Sequence, residues 1–205
     1  MIAIIDYGVG NLFSLGCSFG AIGESAVITS DPETVRSADK IILPGVGAFG
    51  DAADKLRASG MDRLVREQTA LGKPLLGICL GMQLLFDKSY EYGEHDGLGL
   101  IPGVIKPIAD VIPPDYKIPQ IGWNALEMTK PENALFKYIK NGDYVYFVHS
   151  YYAAECEADT IAVTEYGAPL TAAVAKGNVY GCQFHPEKSG DVGMNILRAF
   201  CERQG

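Results

Sequence analysis

The chain opens on the apolar run "IAII" within "IAIIDY" (2–7), which reads as a strand buried on both faces. Apolar positions in "NLFSLGCSFGAIG" (11–23) then recur at helical spacing, and "AVIT" (26–29) is a short strand. "DPET" (31–34) starts a helix, with Asp31 as N-cap and Pro32 at the first helical position. "KIILPG" (40–45) reads as a strand ending in a turn, and Phe49 to Ala70 as helix interrupted near Gly60. "KPLLGI" (73–78) is a further strand and "LGMQLLF" (80–86) a further helix. Apolar strands separated by helices imply parallel βαβ units, so the first half predicts an α/β fold: an open, mostly parallel sheet with flanking helices.

The pattern changes after Phe86. Residues 87–124 are rich in Gly and Pro, and "ADVIPPDYKIP" (109–119) reads as a surface excursion. "DYVYFVHSYYA" (143–153), "IAVTEY" (161–166), "LTAAVAKG" (170–177) and "VYGCQFH" (179–185) follow as successive strands, an antiparallel meander returning to the sheet. "DVGMNILRAFCER" (191–203) closes the chain as a helix with Ile196, Leu197 and Phe200 on its apolar side. No internal repeat or low-complexity segment interrupts this, and 205 residues fit a single domain over 1–205.

Composition narrows the functional classes. Seventeen basic against 25 acidic side chains give a net charge of −8 with no like-charged block, which argues against nucleic acid and anionic membranes as partners. No stretch approaches the roughly 20 apolar residues of a membrane span, and "MIAIIDYG" lacks the features of a signal peptide. Five cysteines without a C-x-x-C pair suggest neither a disulfide framework nor a zinc site, so the expected setting is a reducing cytoplasm and no metal or cofactor is called for.

One cysteine stands apart. Gly77-Ile78-Cys79-Leu80-Gly81 lies between a predicted strand and a predicted helix, the layout of a nucleophile elbow with cysteine in place of serine. Small residues two positions away relieve the crowding of so sharp a turn, and a helix N-terminus favours a thiolate. The N–H of Leu80 would face a developing oxyanion. Cys17 and Cys201 fall in helical patterns, Cys182 in a strand, and Cys156 in a loop whose carboxylates should raise its pKa. A cysteine nucleophile needs a base and an orienting group. His95 lies in a polar loop and reads as solvated, while His149 is either a core histidine or a pocket wall. His185 is followed by Pro186 and Glu187; residues two apart on extended backbone share a side, so Glu187 can hold one ring nitrogen while the other faces the thiol.

"GICLGMQLL" together with "QFHPE" resembles the class I glutamine amidotransferases, whose triad is Cys–His–Glu. "DYGVGN" (6–11), "LPGVGAFG" (43–50), "GLGLIPG" (97–103), "IGWN" (121–124) and "HPEKSG" (185–190) resemble, within that family, the glutaminase subunits of imidazole glycerol phosphate synthase. The resemblance runs the length of the chain and implies a flavodoxin-like sheet. It implies a glutaminase with Cys79, His185 and Glu187 as catalytic residues, Val46 and Leu80 at the oxyanion, and Gly47, Gln83 and Glu91 around the substrate. His149, Ser150 and Tyr151 are expected to line the same pocket. The implied partner is a (β/α)₈-barrel synthase subunit that captures the ammonia in histidine biosynthesis, with Asn11, Trp123, Asn124, Tyr146 and Lys188 at the interface. Trp123 reads equally as an interface anchor or a core residue. A stand-alone cysteine peptidase and a non-catalytic scaffold are the rival readings. "GVGNLF" (8–13) lacks the third glycine of a dinucleotide-binding loop.

Overall fold

The computed structural model describes residues 1–203. Its main sheet has eight strands in the order β2-β1-β3-β4-β14-β13-β12-β9. These are β1 (Ile2–Ile5), β2 (Ala26–Thr29), β3 (Lys40–Leu43), β4 (Leu75–Ile78), β9 (Glu127–Met128), β12 (Thr160–Glu165), β13 (Pro169–Lys176) and β14 (Val179–Cys182). The first five in that order pair in parallel, and β14-β13-β12-β9 pair antiparallel. The parallel section has the 2-1-3-4-5 arrangement of doubly wound sheets, whose ligands bind beyond the strands' carboxyl ends.

The continuous apolar runs follow from burial on both faces. Ala3 and Ile5 of β1 join one core with Ile41, Leu43 and Leu75, whereas Ile2 and Ile4 join another with Ile42, Leu76 and Ile78. The first core is covered by α2 (Pro32–Ser37), α3 (Phe49–Ala58) and α4 (Met61–Ala70); the second by α1 (Leu12–Ala21) and α6 (Gly190–Cys201). Leu15 and Phe19 of α1 meet Ile196, Leu197 and Phe200 of α6 in that second core. Asp31 caps α2 as its sequence predicts, accepting the Thr34 N–H at 3.0 Å. Gly60 stands in the left-handed region, φ 73°, and separates α3 from α4.

Two expectations need correction. The helix after Cys79, α5, spans only Leu80–Gln83, because residues 84–87 turn away: Leu85 N–H bonds Met82 O and Phe86 N–H bonds Gln83 O, both three residues back. The predicted strand over 143–153 is two strands, β10 (Tyr144–His149) and β11 (Tyr151–Ala154), and neither enters the main sheet. β10 pairs antiparallel with β8 (Gln120–Ala125). β11 pairs antiparallel with β7 (Val104–Pro107); β7 runs parallel to β5 (Lys88–Ser89), which in turn pairs antiparallel with β6 (His95–Asp96). The backbone break at Ser150, whose carbonyl accepts the Ile108 N–H, sends the chain from one small sheet to the other. The remaining meander is β12-β13-β14, and β14 returns it beside β4.

The 109–119 excursion starts from a single 3₁₀ turn at Ile108–Asp110. It is anchored by Ile112 against Ile108 and Leu170, and by Tyr116 edge-on to Tyr166 with ring centroids 5.1 Å apart. Among the described residues, no helix is long and apolar enough to cross a membrane.

Candidate active site

Three loops at the carboxyl ends of adjacent strands build the site: 44–48 after β3, the Cys79 turn after β4, and 183–189 after β14. Cys79 has φ 54° and ψ −112°, a backbone conformation costly for a non-glycine residue. Its surroundings hold it there. The Cys79 N–H donates to Cys182 O at 2.7 Å, tying the turn to β14. A Cβ on Gly81 would lie 1.8 Å from the Leu43 carbonyl oxygen, and one on Gly77 would lie 2.6 Å from the Gly81 oxygen. Both glycines are therefore demanded by close backbone approach, as the spacing predicts.

The turn leaves Cys79 8% exposed, at the wall of a cavity of about 420 Å³ that His185 also lines. His185 Nδ1 is 2.8 Å from Glu187 Oε1, and the two side chains are 3% and 1% exposed. A carboxylate can only accept, so the imidazole carries its hydrogen on Nδ1 and presents Nε2 elsewhere. Burial alone would lower the His185 pKa, yet interaction with the Cys79 sulfur and the Glu187 carboxylate raises it to about 9. The three elements of a thiol–imidazole–carboxylate relay are thus together, with the charged imidazole favoured.

Around them lie Val46 and Gly47 from the β3 loop, Leu80 and Gln83 from α5, Glu91, and His149, Ser150 and Tyr151. The first helical bond of α5 runs from Gln83 N–H to Cys79 O at 3.2 Å, so the Leu80 N–H lies ahead of the ladder. Gly47, which lines the cavity, has φ 96°, in the region that favours glycine. Glu91 Oε2 accepts the Phe49 N–H at the start of α3 at 2.7 Å. Burial raises the Glu91 pKa, against the opposing pull of that hydrogen bond.

A profile of the class-I glutamine amidotransferases matches residues 3–203. The chain belongs to this family. The amidotransferase is 49% identical over 204 residues to the imidazole glycerol phosphate synthase subunit HisH of Wolinella succinogenes, covering 98% of this chain and 99% of that one. It is 50% identical over 203 residues to the HisH subunit of Caldanaerobacter subterraneus, covering 98% of each. Its fold is similar to that of PurLQS from Thermotoga maritima, with a TM-score of 0.75 at 18% identity, over 98% of this chain and 96% of that structure.

Not every expected residue plays a free role in the amidotransferase site. His149 lines the cavity, but Nδ1 is 2.8 Å from Tyr151 O and Nε2 is 3.0 Å from Gln120 Oε1. Burial lowers its pKa to about 4, and with both ring nitrogens engaged it is a wall of the cavity with none free to serve as a second base. His95 is half-buried against Gly50 and the Phe49 ring rather than solvated. Cys156 and Cys182 have raised pKa values, and in each the first cause is burial; the carboxylates beside Cys156 add less.

Of the residues expected to meet a partner, three cluster. The Trp123 ring stands edge-on to Tyr146 at 6.1 Å, and Lys188 Nζ lies 5.8 Å from the Tyr146 ring centroid. Trp123 is 52% exposed, which removes the core reading. Asn11 is exposed just before α1, a helix that touches the 186–188 turn. Asn124 is on the other face of β8 from Trp123, with its amide taken by Gln120 and the Glu165 carbonyl. The Tyr146 backbone is laced to the loop that carries His185. His185 N–H donates to Tyr146 O at 2.9 Å, Tyr146 N–H donates to Ser189 Oγ at 3.0 Å, and that hydroxyl donates to His185 O at 2.6 Å.

Sequence reasoning missed Pro119, which brings the 109–119 excursion to the cavity, and Gln183, whose side chain reaches the Cys79 sulfur. Gln183 sits two residues before His185, and that shared side of an extended segment is the signal that marks it.

Proposed function

We propose that this chain is the glutaminase subunit of an imidazole glycerol phosphate synthase. It hydrolyses glutamine and passes ammonia to a barrel synthase subunit in histidine biosynthesis. One observation carries the reading: half of its residues are identical to HisH subunits over nearly the full length of both chains. The geometry around Cys79 supports the chemistry.

In this mechanism the Cys79 thiolate attacks the side-chain amide carbon of glutamine, and the oxyanion is held by the N–H groups of Leu80 and Val46. The C–N bond breaks as His185 gives its Nε2 proton to the leaving nitrogen, which departs as ammonia. Water then loses a proton to His185 and attacks the thioester; the thiolate leaves and glutamate is released. Glu187 keeps the imidazole oriented and its charge stabilised throughout. Glu91 receives the substrate's ammonium group, Gly47 its backbone contact, and Ser150, Tyr151 and the His149 wall enclose the rest. The scheme needs no cofactor.

Ammonia is useful only if captured, so Trp123, Tyr146 and Lys188, with Asn11 at their margin, form the face for the synthase subunit, while Asn124 supports β8 from behind. That subunit uses the ammonia to form imidazole glycerol phosphate and an aminoimidazole carboxamide ribonucleotide. The whole domain, 1–205, works in the cytoplasm as one half of a heterodimer.

The test is ammonia release from glutamine, measured for the chain alone and with the synthase subunit and its nucleotide. The expected result is a several-fold rise on adding both, abolished by Cys79→Ala. Equal rates with and without the partner overturn the proposed assembly.

A further inference from the structure

Gln183 is the one fully buried polar side chain at the nucleophile whose role the mechanism above leaves blank. Its Nε2 is 3.8 Å from Cys79 Sγ, and its Oε1 is 3.0 Å from Gln83 Nε2. Gln83 Nε2 is also 3.1 Å from Tyr151 O. These contacts fix each amide in turn. A backbone carbonyl only accepts, so the group Gln83 turns toward Tyr151 is its NH₂. That NH₂ then faces Gln183 as a donor, so Gln183 must answer with its oxygen. The Gln183 NH₂ is left pointing at the sulfur. Reversing either amide would set two donors or two acceptors against each other inside the protein, at the cost of a buried unsatisfied pair.

We infer that Gln183 is the hydrogen-bond donor that holds the Cys79 sulfur and stabilises its thiolate, with its direction set from the Tyr151 carbonyl through Gln83. This rests on the reading of Cys79 as the nucleophile. A donor aimed at the sulfur strengthens when the sulfur becomes an anion. Besides His185, the sulfur meets an acceptor, Val148 O at 4.0 Å, which suits the neutral thiol and opposes the anion. Gln183 therefore works in the same direction as His185 but from a neutral group whose donor capacity does not change with pH. The assignment also limits Gln83: both of its amide hydrogens are engaged, so only its oxygen remains to meet a substrate.

The ionisable groups facing the sulfur are His185 with Glu187 behind it, Tyr7 from the end of β1, and Glu91 and Lys188 across the cavity. None is altered by changing Gln183. The experiment follows the rate of iodoacetamide alkylation at Cys79 against pH, by mass spectrometry of its peptide. It uses the intact chain without glutamine or partner, and the exposed Cys17 is the internal reference. Gln183→Met keeps the length and removes the donor; Gln83→Met keeps Gln183 but frees its amide to turn. The Cys79 midpoint is expected to rise by about one pH unit in Gln183→Met and by less in Gln83→Met, while Cys17 does not move. An unshifted Cys79 profile in a folded Gln183→Met overturns the assignment. Should that variant fail to fold, the Gln83→Met profile decides: a rise supports the assignment and no rise overturns it. The thiol is read directly, so the result stands apart from whether ammonia release responds to a synthase subunit.

Discussion

His185 is held between opposing influences, and its net shift makes a prediction about stability. Its folded pKa of about 9 exceeds the ordinary histidine value of 6.5. The folded state therefore binds the proton more tightly than the unfolded chain. The stabilisation from this group is complete below about pH 6.5 and is lost as pH rises through 9. Denaturant unfolding of the wild type should show that alkaline decline, and His185→Phe should flatten it while abolishing glutamine turnover; an unchanged slope would place the proton elsewhere. Cys79, His185 and Glu187 were legible in the sequence because glycine and proline mark the backbone beside them. Gln183 was not. A glutamine just past an apolar strand is marked only by its place two residues before His185, and its partners Gln83 and Cys79 are 100 and 104 positions away.

The strand–turn–helix unit around Cys79 was readable in kind but not in length. The glycine bracket identified the turn, while the apolar run "LGMQLLF" hid the early end of α5, since buried turns are as apolar as buried helix. The run 143–153 misled for a related reason. Aromatic residues continue through Ser150, and only the partner strands, β8 for one half and β7 for the other, reveal two elements. The close approach of Gly81 to the Leu43 carbonyl makes the turn intolerant of any side chain. Gly81→Ala is expected to cost about 1–3 kcal/mol in chemical denaturation and to remove selective alkylation of Cys79. A variant with wild-type stability and full thiol reactivity would mean the turn has room the backbone does not show.

The parallel section of the main sheet followed from strands alternating with helices, and it gathers three loops at the carboxyl ends of its central strands. What the pattern left open was the attachment of the small sheets, which depends on pairings between segments far apart in the chain. One of them displays Trp123, Tyr146 and Tyr144, while Phe13 is 79% exposed near the start of α1. Large exposed aromatics such as Trp123, Tyr144 and Phe13 suit a partner surface. Because Trp123 is half in solvent, Trp123→Ala should alter the stability of the isolated chain by less than about 1 kcal/mol. Titration with the synthase subunit should show binding weakened at least about tenfold. Undiminished binding would move the partner to another face.

The two hydrogen bonds between the Tyr146 backbone and residues 185–189, braced by a third from Ser189 Oγ to His185 O within that segment, give the aromatic shelf a mechanical meaning. A strand cannot slide or tilt under a docking protein without dragging the segment stitched to it. The proton-carrying ring thus hangs from the same thread that a binding neighbour would pull, one link from the contact, with no long relay through the interior required.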